Sequence, residues 1–430
     1  MPYSILSLDG GGTWALIQAR VFEKKYGPSM KGHEILKKFD LVIANSGGSL
    51  VLAMLCANKS VKEIVDTFND LDVLQGIFKR KLVHYIGFFG INSFLPNYDT
   101  ENKYSVFVKH LKNEGVSYGD TLLPNLPELV GEGCPQIIIA AFDYDRQRAV
   151  FFRSNMASRM EGSYIENAIN PNSNKNNFKA VTLAQAIHAS SNAPVQFFDD
   201  PASFPLISIA SNNSRTKIKK RLFWDGAVGG NNNPVKIGVL EALANSDNRE
   251  ETKNNIRIVS IGTSSTVLPV LYGESGEFQP EYDWLCRYSK IDCVTDDLER
   301  MATSILSDPP DASSFDAHQI LGLPYKQNDE RFVRINPLVK PILMNKPNTS
   351  VKGWYMPGKE GNWTPKEMKE LFSLDMAVAT KEGVNLINRL CVDYFDDKFD
   401  NQGIRIGGDN MDAILGHKKF TTALEDWNKH

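Results

Sequence analysis

The hydrophobic pattern of the chain alternates short apolar runs with stretches of helical spacing. Residues 4–8 and 39–44 are nearly continuous apolar runs, as in strands buried on both faces of a sheet. Residues 15–25 and 49–57 follow them with the apolar spacing of helices. This alternation predicts an α/β protein. Further strands are predicted at 137–142, 149–153, 222–224 and 256–261, and further helices at 183–193, 234–243, 282–306 and 374–395.

Ser46 stands where the second of these strands turns into the following helix. Its neighbours Ala44, Gly47 and Gly48 are small, as a sharp turn requires when strand and helix backbones nearly collide. Such a turn lifts a serine hydroxyl out of the sheet, which makes Ser46 a nucleophile candidate. A serine that caps a helix after a glycine turn is the alternative interpretation.

Two other turns at strand ends also contain candidate active-site residues. Asp9-Gly10-Gly11-Gly12-Thr13 separates the first strand from the first helix, and its bare amides suit a phosphate or a developing oxyanion. Asp225 follows strand 222–224 and precedes a glycine. If the sheet is parallel, Asp225 faces the same edge as Ser46. The alternative interpretations are a plain tight turn capped by Asp9 and, at residue 225, a common turn-forming Asp-Gly pair, which Asp225 alone would favour.

Composition narrows the functional classes. Hydrophobic and charged contents of 42% and 23% are those of a globular protein, and no run reaches the ~20 apolar residues of a membrane span. The net charge of −3 argues against a nucleic-acid partner. The chain enters a strand almost at once, so we expect no signal peptide and a cytoplasmic or peripheral membrane location. No His, Cys or carboxylate cluster has ligand spacing, so no metal or other cofactor is expected.

The three turns together resemble the patatin-like phospholipases. The match consists of Asp9-Gly-Gly-Gly12, Ala44-x-Ser46-x-Gly48 and Asp225-Gly-Ala227, in that order. Residues 189–194, Ala-Ser-Ser-Asn-Ala-Pro, and 260–263, Ser-Ile-Gly-Thr, are similar to two further segments of the family. The resemblance implies a three-layer α/β/α fold around a central, mostly parallel sheet. It implies a patatin-like catalytic domain over residues 1–395, which would leave residues 396–430 as a polar, mobile tail.

The resemblance also implies a lipid acyl hydrolase of the phospholipase A or lysophospholipase type. Ser46 would be the nucleophile and Asp225 the base of a Ser-Asp dyad, because a desolvated carboxylate can take the serine proton. The amides of Gly10, Gly11 and Gly12 would form the oxyanion hole. The substrate would be a phospholipid or another acyl lipid, and the products a fatty acid and a lysolipid.

Two positions depart from the family pattern. Ala44 replaces the first glycine of Gly-x-Ser-x-Gly and is one methyl group larger. Trp14 replaces the arginine of Asp-Gly-Gly-Gly-x-Arg-Gly, which would lend positive charge near the oxyanion site. Both departures lie at the candidate active site, so they bear on the catalytic rate more than on the fold.

Three other functions compete with this one. In an actin-like sugar kinase or ATPase, Asp9–Thr13 would be a phosphate loop followed by a β-hairpin. A Ser-His-Asp lipase would need a late histidine, for which His318 is the candidate. A patatin-shaped binding protein without catalysis would leave Ser46 unreactive towards a serine-directed probe.

A basic and aromatic stretch, residues 77–91, predicts peripheral membrane contact. Lys79, Arg80 and Lys81 stand there beside large apolar residues, which suits an anionic lipid surface. A core-facing loop would have a similar composition. The sequence does not indicate an oligomeric state.

Overall fold

The computed structural model of the 430-residue chain describes most of the sequence. The described residues are 2–80, 98–155, 178–194, 197–209, 215–267, 270–271, 287–288, 310–325, 328–344, 353–407 and 412–430. Residues 81–91 of the predicted membrane-facing stretch lie outside them. Of the predicted helix 282–306, only Arg287–Tyr288 is described, and it forms a short strand.

The described strands, in chain order, are β1 (Tyr3–Leu8), β2 (Leu41–Ala44), β3 (Lys112–Asn113), β4 (Val116–Ser117), β5 (Gln136–Asp143), β6 (Arg148–Arg153), β7 (Phe178–Ala180), β8 (Ala202–Ile209), β9 (Arg215–Asp225), β10 (Ile256–Ile261), β11 (Ser265–Thr266), β12 (Val270–Leu271), β13 (Arg287–Tyr288), β14 (Phe332–Ile335), β15 (Pro337–Val339), β16 (Ile342–Met344), β17 (Gly353–Tyr355), β18 (Asp400–Asn401), β19 (Arg405–Gly407) and β20 (Asp412–Leu415).

The described α-helices are α1 (Leu16–Tyr26), α2 (Gly32–Leu36), α3 (Ser46–Cys56), α4 (Val61–Asn69), α5 (Leu71–Ile77), α6 (Thr100–His110), α7 (Leu126–Val130), α8 (Leu183–Ser190), α9 (Val235–Asn245), α10 (Arg249–Asn255), α11 (Pro310–Leu321), α12 (Pro365–Phe372), α13 (Lys381–Phe395) and α14 (Phe420–Trp427). Short 3-10 helices occupy Gly12–Ala15, Tyr118–Asp120, Leu123–Asn125 and Gly226–Gly229.

A nine-stranded sheet forms the centre of the fold. Its order is β14-β10-β1-β2-β5-β9-β8-β7, with β6 paired to β5 off that path. The five strands from β14 to β5 run parallel to one another. The remaining strands join by antiparallel pairing. The parallel centre confirms the predicted sheet, whose hydrophobic strands are buried on both faces.

Helices cover both faces of this sheet. Successive residues of a strand point to opposite faces. On one face, Leu6 and Val42 pack in a core that includes α1 and α3. On the other face, Ile5 and Ile43 pack with α9 and α11. The predicted α/β class is therefore confirmed, with one helical layer on each side of the sheet.

The last predicted helix begins later than its hydrophobic spacing indicated. We predicted one helix over 374–395, but α13 begins at Lys381 after Thr380, whose hydroxyl accepts a hydrogen bond from the Gly383 amide. This N-cap contact satisfies a helix donor and so fixes the start. The residues before it, 375–378, cross the glycine turn of the candidate site.

The segment from residue 396 onwards packs against the rest of the protein. β18 pairs antiparallel with β15, and α14 buries Trp427. The Trp427 ring meets the rings of Phe22 and Tyr26 edge-on at centroid distances of 6.4 and 5.6 Å. The expectation of a mobile tail is therefore corrected, because a few apolar side chains among many polar ones anchor the segment. A domain boundary at residue 395 stays a prediction.

Candidate active site

Ser46 stands at the junction between β2 and α3. Its φ of +47° lies in the left-handed region, where non-glycine residues are rare and strained. Its side chain is buried, with 5% exposure. The Ser46 amide donates to the Ser190 hydroxyl at 2.9 Å, and the Ser49 hydroxyl donates to the Ser46 carbonyl at 2.6 Å. These contacts hold the strained turn that a nucleophilic serine requires.

The small residues around Ser46 are required by the close approach of neighbouring backbone. A Cβ atom on Gly47 would lie 2.4 Å from the carbonyl oxygen of Gly12. One on Gly48 would lie 2.6 Å from the carbonyl oxygen of Leu8. Ala44, where the family pattern has glycine, is fully buried and keeps its place in the sheet opposite Ile139 of β5. The extra methyl group is thus accommodated without breaking the strand.

Asp225 reaches the turn by a route that the sequence did not predict. The strand that ends in Asp225, β9, runs antiparallel to β5 and pairs with Ala141 to Asp143. One edge of β5 is paired with β6 along residues 138–143, so both β2 and β9 must pair with the opposite edge. On that edge the end of β9 follows the end of β2, and the two strand ends approach each other. The condition under which we placed Asp225 beside Ser46, a parallel strand, is therefore not met, although the Asp225 carboxylate still lies beside the β2–α3 turn.

The Asp225 carboxyl group is buried and bonded on several sides. The Asn45 side chain donates to Oδ1 at 3.0 Å, and the Ala227 amide donates to the same oxygen at 2.9 Å. Burial raises the pKa of Asp225 above its ordinary value. Hydrogen bonds from Ala227, Ser46 and Asn45 and the charge of Lys103 oppose that rise. The predicted nucleophile and base are therefore brought together.

The glycine turn offers two of its three amides. The Gly10 amide donates to the Asn232 carbonyl at 2.8 Å and is thus occupied. Within the described part of the chain, no hydrogen-bond acceptor contacts the amides of Gly11 and Gly12. Gly12 lies against Gly47, one residue beyond Ser46. The amides of Gly11 and Gly12 can therefore serve as oxyanion donors, whereas the Gly10 amide is already bonded to Asn232.

A buried ion pair fixes the start of this turn. Arg334 of β14 donates to both carboxylate oxygens of Asp9, and Nη1 lies 3.0 Å from Oδ1. Both side chains are almost completely buried. Burial raises the pKa of Asp9, and the Arg334 charge opposes the rise. The Thr263 hydroxyl holds the next residue by donating to the Gly10 carbonyl at 2.6 Å.

Residues 375–378 cover the other side of the glycine turn. The Thr13 amide donates to the Met376 carbonyl at 2.9 Å, and its hydroxyl donates to the Val378 carbonyl at 2.9 Å. Trp14, which replaces the family arginine, donates its indole N–H to the Asp375 carbonyl at 2.9 Å. Trp14 therefore holds this segment in place and contributes no positive charge.

A narrow apolar cavity opens beside the glycine turn. It encloses about 40 Å³ and begins at Gly12 and Thr13. Side chains of α3, α4, α5 and α6 line it, among them Leu50, Phe68 and Leu74. Such a lining favours a hydrocarbon group over a polar one.

The residues on which the competing functions depend lie in other arrangements. A 3-10 turn and α1 follow the glycine turn, where the kinase alternative requires a β-hairpin. His318 contacts the Pro324 carbonyl at 3.3 Å and the Gln319 side chain at 3.1 Å. Within the described ranges, no group of three or more His, Cys, Asp or Glu residues could hold a metal ion. Nor does any helix in those ranges have the length and apolar character to cross a membrane.

Several supporting residues escaped the sequence analysis. Asn45, Lys103 and Arg334 show no motif, because each acts through a partner distant in the chain. Ser190 contacts the Ser46 amide. Ser190 lies in the small-residue segment 189–194 that is similar to a segment of the family. The sequence therefore indicated that this segment matters, but not that Ser190 contacts the Ser46 amide.

A known protein family matches the part of the chain that contains these turns. The family model described as patatin-like phospholipase matches residues 6–239. VipD from Legionella pneumophila is 11% identical to this chain with a TM-score of 0.30, and the match covers 91% of this chain and 66% of the VipD chain. Human GIVD cytosolic phospholipase A2 is 10% identical to this chain with a TM-score of 0.36, and the match covers 99% of this chain and 60% of the phospholipase chain.

This chain spans 66% and 60% of the lengths of those two proteins. No curated protein sequence matches it. The family match covers more than half of the chain and includes all three turns of the candidate site. The chain therefore belongs to the patatin-like phospholipase family and has its fold.

Proposed function

We propose that this protein hydrolyses fatty acyl esters of membrane lipids with a Ser46–Asp225 dyad. The observation that carries the proposal is the strained Ser46 turn with the buried Asp225 carboxylate against it. A carboxylate whose pKa is raised by burial is a better proton acceptor than an exposed one. Family membership supports the same chemistry.

The reaction proceeds in two steps. Ser46 Oγ attacks the ester carbonyl carbon while its proton passes to Asp225, and Asp225 then protonates the departing alcohol of the lysolipid. Asp225 next removes a proton from water, which attacks the acyl-serine; Asp225 then returns that proton to the departing Ser46 Oγ, which releases the fatty acid and restores the dyad. Activity is lost as the pH falls through the Asp225 pKa, because a protonated carboxyl group accepts no proton.

The amides of Gly11 and Gly12 stabilise the oxyanion of each tetrahedral intermediate. Each such donor is worth about 10²- to 10³-fold in rate. Gly10 acts indirectly, because its amide bonds to Asn232 and its carbonyl accepts from Thr263. The oxyanion hole that we propose is therefore Gly11 and Gly12, one residue fewer than the sequence implied.

The apolar cavity between α3, α4, α5 and α6 receives the end of the acyl chain next to the ester, since about 40 Å³ is room for only a few methylene-sized groups. This cavity starts at Gly12, beside the proposed oxyanion hole, so an ester bound there points its hydrocarbon away from solvent. The substrate class is a phospholipid, lysophospholipid or related acyl lipid. Because the bilayer holds such lipids, we also propose peripheral contact with a membrane surface.

The test is mass spectrometry of lipid products from the purified protein and from Ser46→Ala, together with fluorophosphonate labelling. We expect release of free fatty acid and a label on Ser46, both lost in the variant. Ser105→Ala on α6 is the control, since its exposed hydroxyl only contacts the Glu101 carbonyl at 3.4 Å. A loss of only a few-fold in Ser46→Ala, or a label on another serine, would refute the assignment.

A further inference from the structure

Lys103 of α6 is a completely buried cation that the proposed mechanism does not use. Its side chain has 0% exposure. Its ammonium donates to Asn192 Oδ1 at 2.7 Å and to the His188 carbonyl at 3.1 Å, and approaches the Ser191 hydroxyl at 3.4 Å. It also lies 4.0 Å from the centre of the Phe198 ring. A buried ammonium is costly, so contacts this specific call for a role.

These contacts match the donors of an ammonium group one for one. Three acceptors meet three N–H groups, and an aromatic face meets the remaining side. Burial holds the pKa of Lys103 well below its ordinary value, and the charge of Asp225 opposes that fall. Among the described residues, no carboxylate forms a direct ion pair with Lys103, so Asp225 acts on it through the electrostatic field alone.

The acceptors of Lys103 belong to the segment that touches both members of the proposed dyad. This segment, residues 188–192, ends α8. The Ser190 hydroxyl accepts the Ser46 amide at 2.9 Å. The Asn192 carbonyl accepts the Asp225 amide at 3.0 Å. A displacement of this one segment would therefore move the nucleophile and the base relative to each other.

The helix that carries Lys103 is anchored close to the same segment. The amide and hydroxyl of Thr100, at the start of α6, donate to Asp199 at 3.1 and 2.8 Å. Asn192 donates to the Asp200 carbonyl at 2.7 Å. Residues 199–200 therefore bond to both the start of α6 and the end of α8. Lys103 adds a second connection between these two helices. A cation at a helix C-terminus also interacts favourably with the helix dipole.

We propose that Lys103 is a positioning residue for the Ser46–Asp225 dyad: its ammonium fixes the end of α8, and its charge favours the ionised Asp225. This inference rests on the proposed function. It assigns Lys103 no contact with substrate. It predicts instead that Lys103 sets both the geometry of the proton transfer and the pH range in which Asp225 acts as a base.

The pH dependence involves few groups. The charged and titratable side chains that face Lys103 are Asp225 from β9 and His188 from α8. Burial lowers the pKa of His188, and Lys103 lowers it further, so His188 is neutral in the working range. Asn45 and Ser46 face Asp225 as uncharged donors. The effect of removing the Lys103 charge therefore falls on Asp225.

The test measures kcat, KM and the pH dependence of kcat/KM for a soluble short-chain ester in Lys103→Met and Lys103→Gln. We expect kcat to fall about 10-fold or more with KM nearly unchanged. The acidic limb should move to higher pH by roughly one unit, because loss of an opposite charge raises a carboxyl pKa. Lys103→Arg keeps the charge and should keep the acidic limb of the wild type.

Lys109→Met is the matched control, since Lys109 is an exposed lysine on the same helix. Thermal unfolding of each variant separates a loss of folded protein from a loss of rate. Variants that fold yet keep the wild-type kcat and acidic limb would overturn the inference. So would a fall in activity that only follows the folded fraction. If the Met and Gln variants do not fold, an acidic limb shifted in Lys103→Arg would overturn it.

Ser46→Ala is measured in parallel to separate two kinds of failure. If hydrolysis by the wild type does not depend on Ser46, the proposed function fails and this inference fails with it. If hydrolysis requires Ser46 but is indifferent to Lys103, only the inference fails. The rate of fluorophosphonate labelling of Ser46 gives a second readout, and we expect it to fall in parallel with kcat in Lys103→Met.

Discussion

The two halves of the candidate site are held in place in different ways. Around Ser46 and Asp225, the supporting contacts come from Asn45, Ser190 and Asn192. All of these residues lie within the family match, 6–239. The glycine turn is held by Arg334, Thr263 and residues 375–378, which lie beyond that match.

This difference separates chemistry from support. Both halves begin with strands that end in small-residue turns, and both are fixed by hydrogen bonds between residues distant in the chain. In the nucleophile half those bonds involve the reactive residues themselves, whereas the glycine half is held from behind by one buried ion pair and by residues beyond the family match. Changes in the first half should therefore mainly lower the rate, whereas changes behind the second should mainly lower stability.

The largest effect is expected from the dyad itself. Asp225→Asn should lower kcat/KM by about 10²- to 10⁴-fold, because proton transfer is lost, and Ser46→Ala should lower it further. The double variant should be no less active than Ser46→Ala, since residues that act as one unit are not additive. Thermal unfolding should change little. A multiplicative loss in the double variant would show that the two residues act independently.

The next effect is on stability. Arg334→Met leaves the buried Asp9 carboxylate without its cation, which should cost about 3–5 kcal/mol of unfolding free energy, measured with denaturant. Lys62→Met is the control, because its pair with Asp66 is exposed to solvent and contributes little to stability. A loss in Arg334→Met no larger than in this control would contradict the structural role of the Asp9–Arg334 pair.

The pH dependence of Arg334→Met follows from the Asp9 carboxyl group. Without Arg334, burial alone acts on Asp9, so its native pKa lies further above the unfolded value than in the wild type. The native state then retains a proton that the unfolded state releases, and stability falls as the pH rises between the two pKa values. The deficit of the variant should therefore shrink on acidification below the native pKa.

A smaller loss is expected at Asn401, which connects the C-terminal segment to Arg334. Its side chain donates to the carbonyls of Arg334 and His417 at 2.8 and 2.7 Å and accepts from Asn336 and Tyr394. Asn401→Ala leaves buried groups unpaired and should cost ~1–3 kcal/mol.

The half-buried Asn388 provides the control, since it donates to one side chain and one carbonyl near the surface. An Asn401→Ala variant as stable as Asn388→Ala would mean that residues after 396 do not support the glycine turn.

The sequence predicted those parts of the fold and the site that depend on residues close together in the chain. The strands around Ser46 and the first glycine turn have apolar runs and small residues at fixed spacing, so their type and order were predictable. The direction of β9 was not, because an apolar run before Asp225 is equally compatible with either pairing. Arg334 and Lys103 were missed because no local pattern distinguishes a buried cation from an exposed one.

The smallest effect concerns the membrane-facing stretch. In the structure, Phe78 packs against Tyr98 and Phe198 at centroid distances of 5.4 and 6.2 Å, while Lys79 and Arg80 are exposed. The charges of Lys79 and Arg80, rather than Phe78, are therefore the described groups that we propose meet anionic lipid. This assigns the described part of the stretch two roles, packing by its aromatic residue and docking by its cations.

Replacing residues 79–81 by glutamine should weaken binding to anionic vesicles, since each cation near such a surface is worth about 1 kcal/mol. Binding should also weaken with added salt. Hydrolysis of a soluble short-chain ester should be unchanged, because such an ester reaches the site without docking to a lipid surface. The exposed Lys366 and Lys369 on α12, replaced together, are the control for a general loss of charge. If ester hydrolysis falls along with vesicle binding, the stretch supports the site rather than the membrane contact; if neither changes, the lipid approaches from another face.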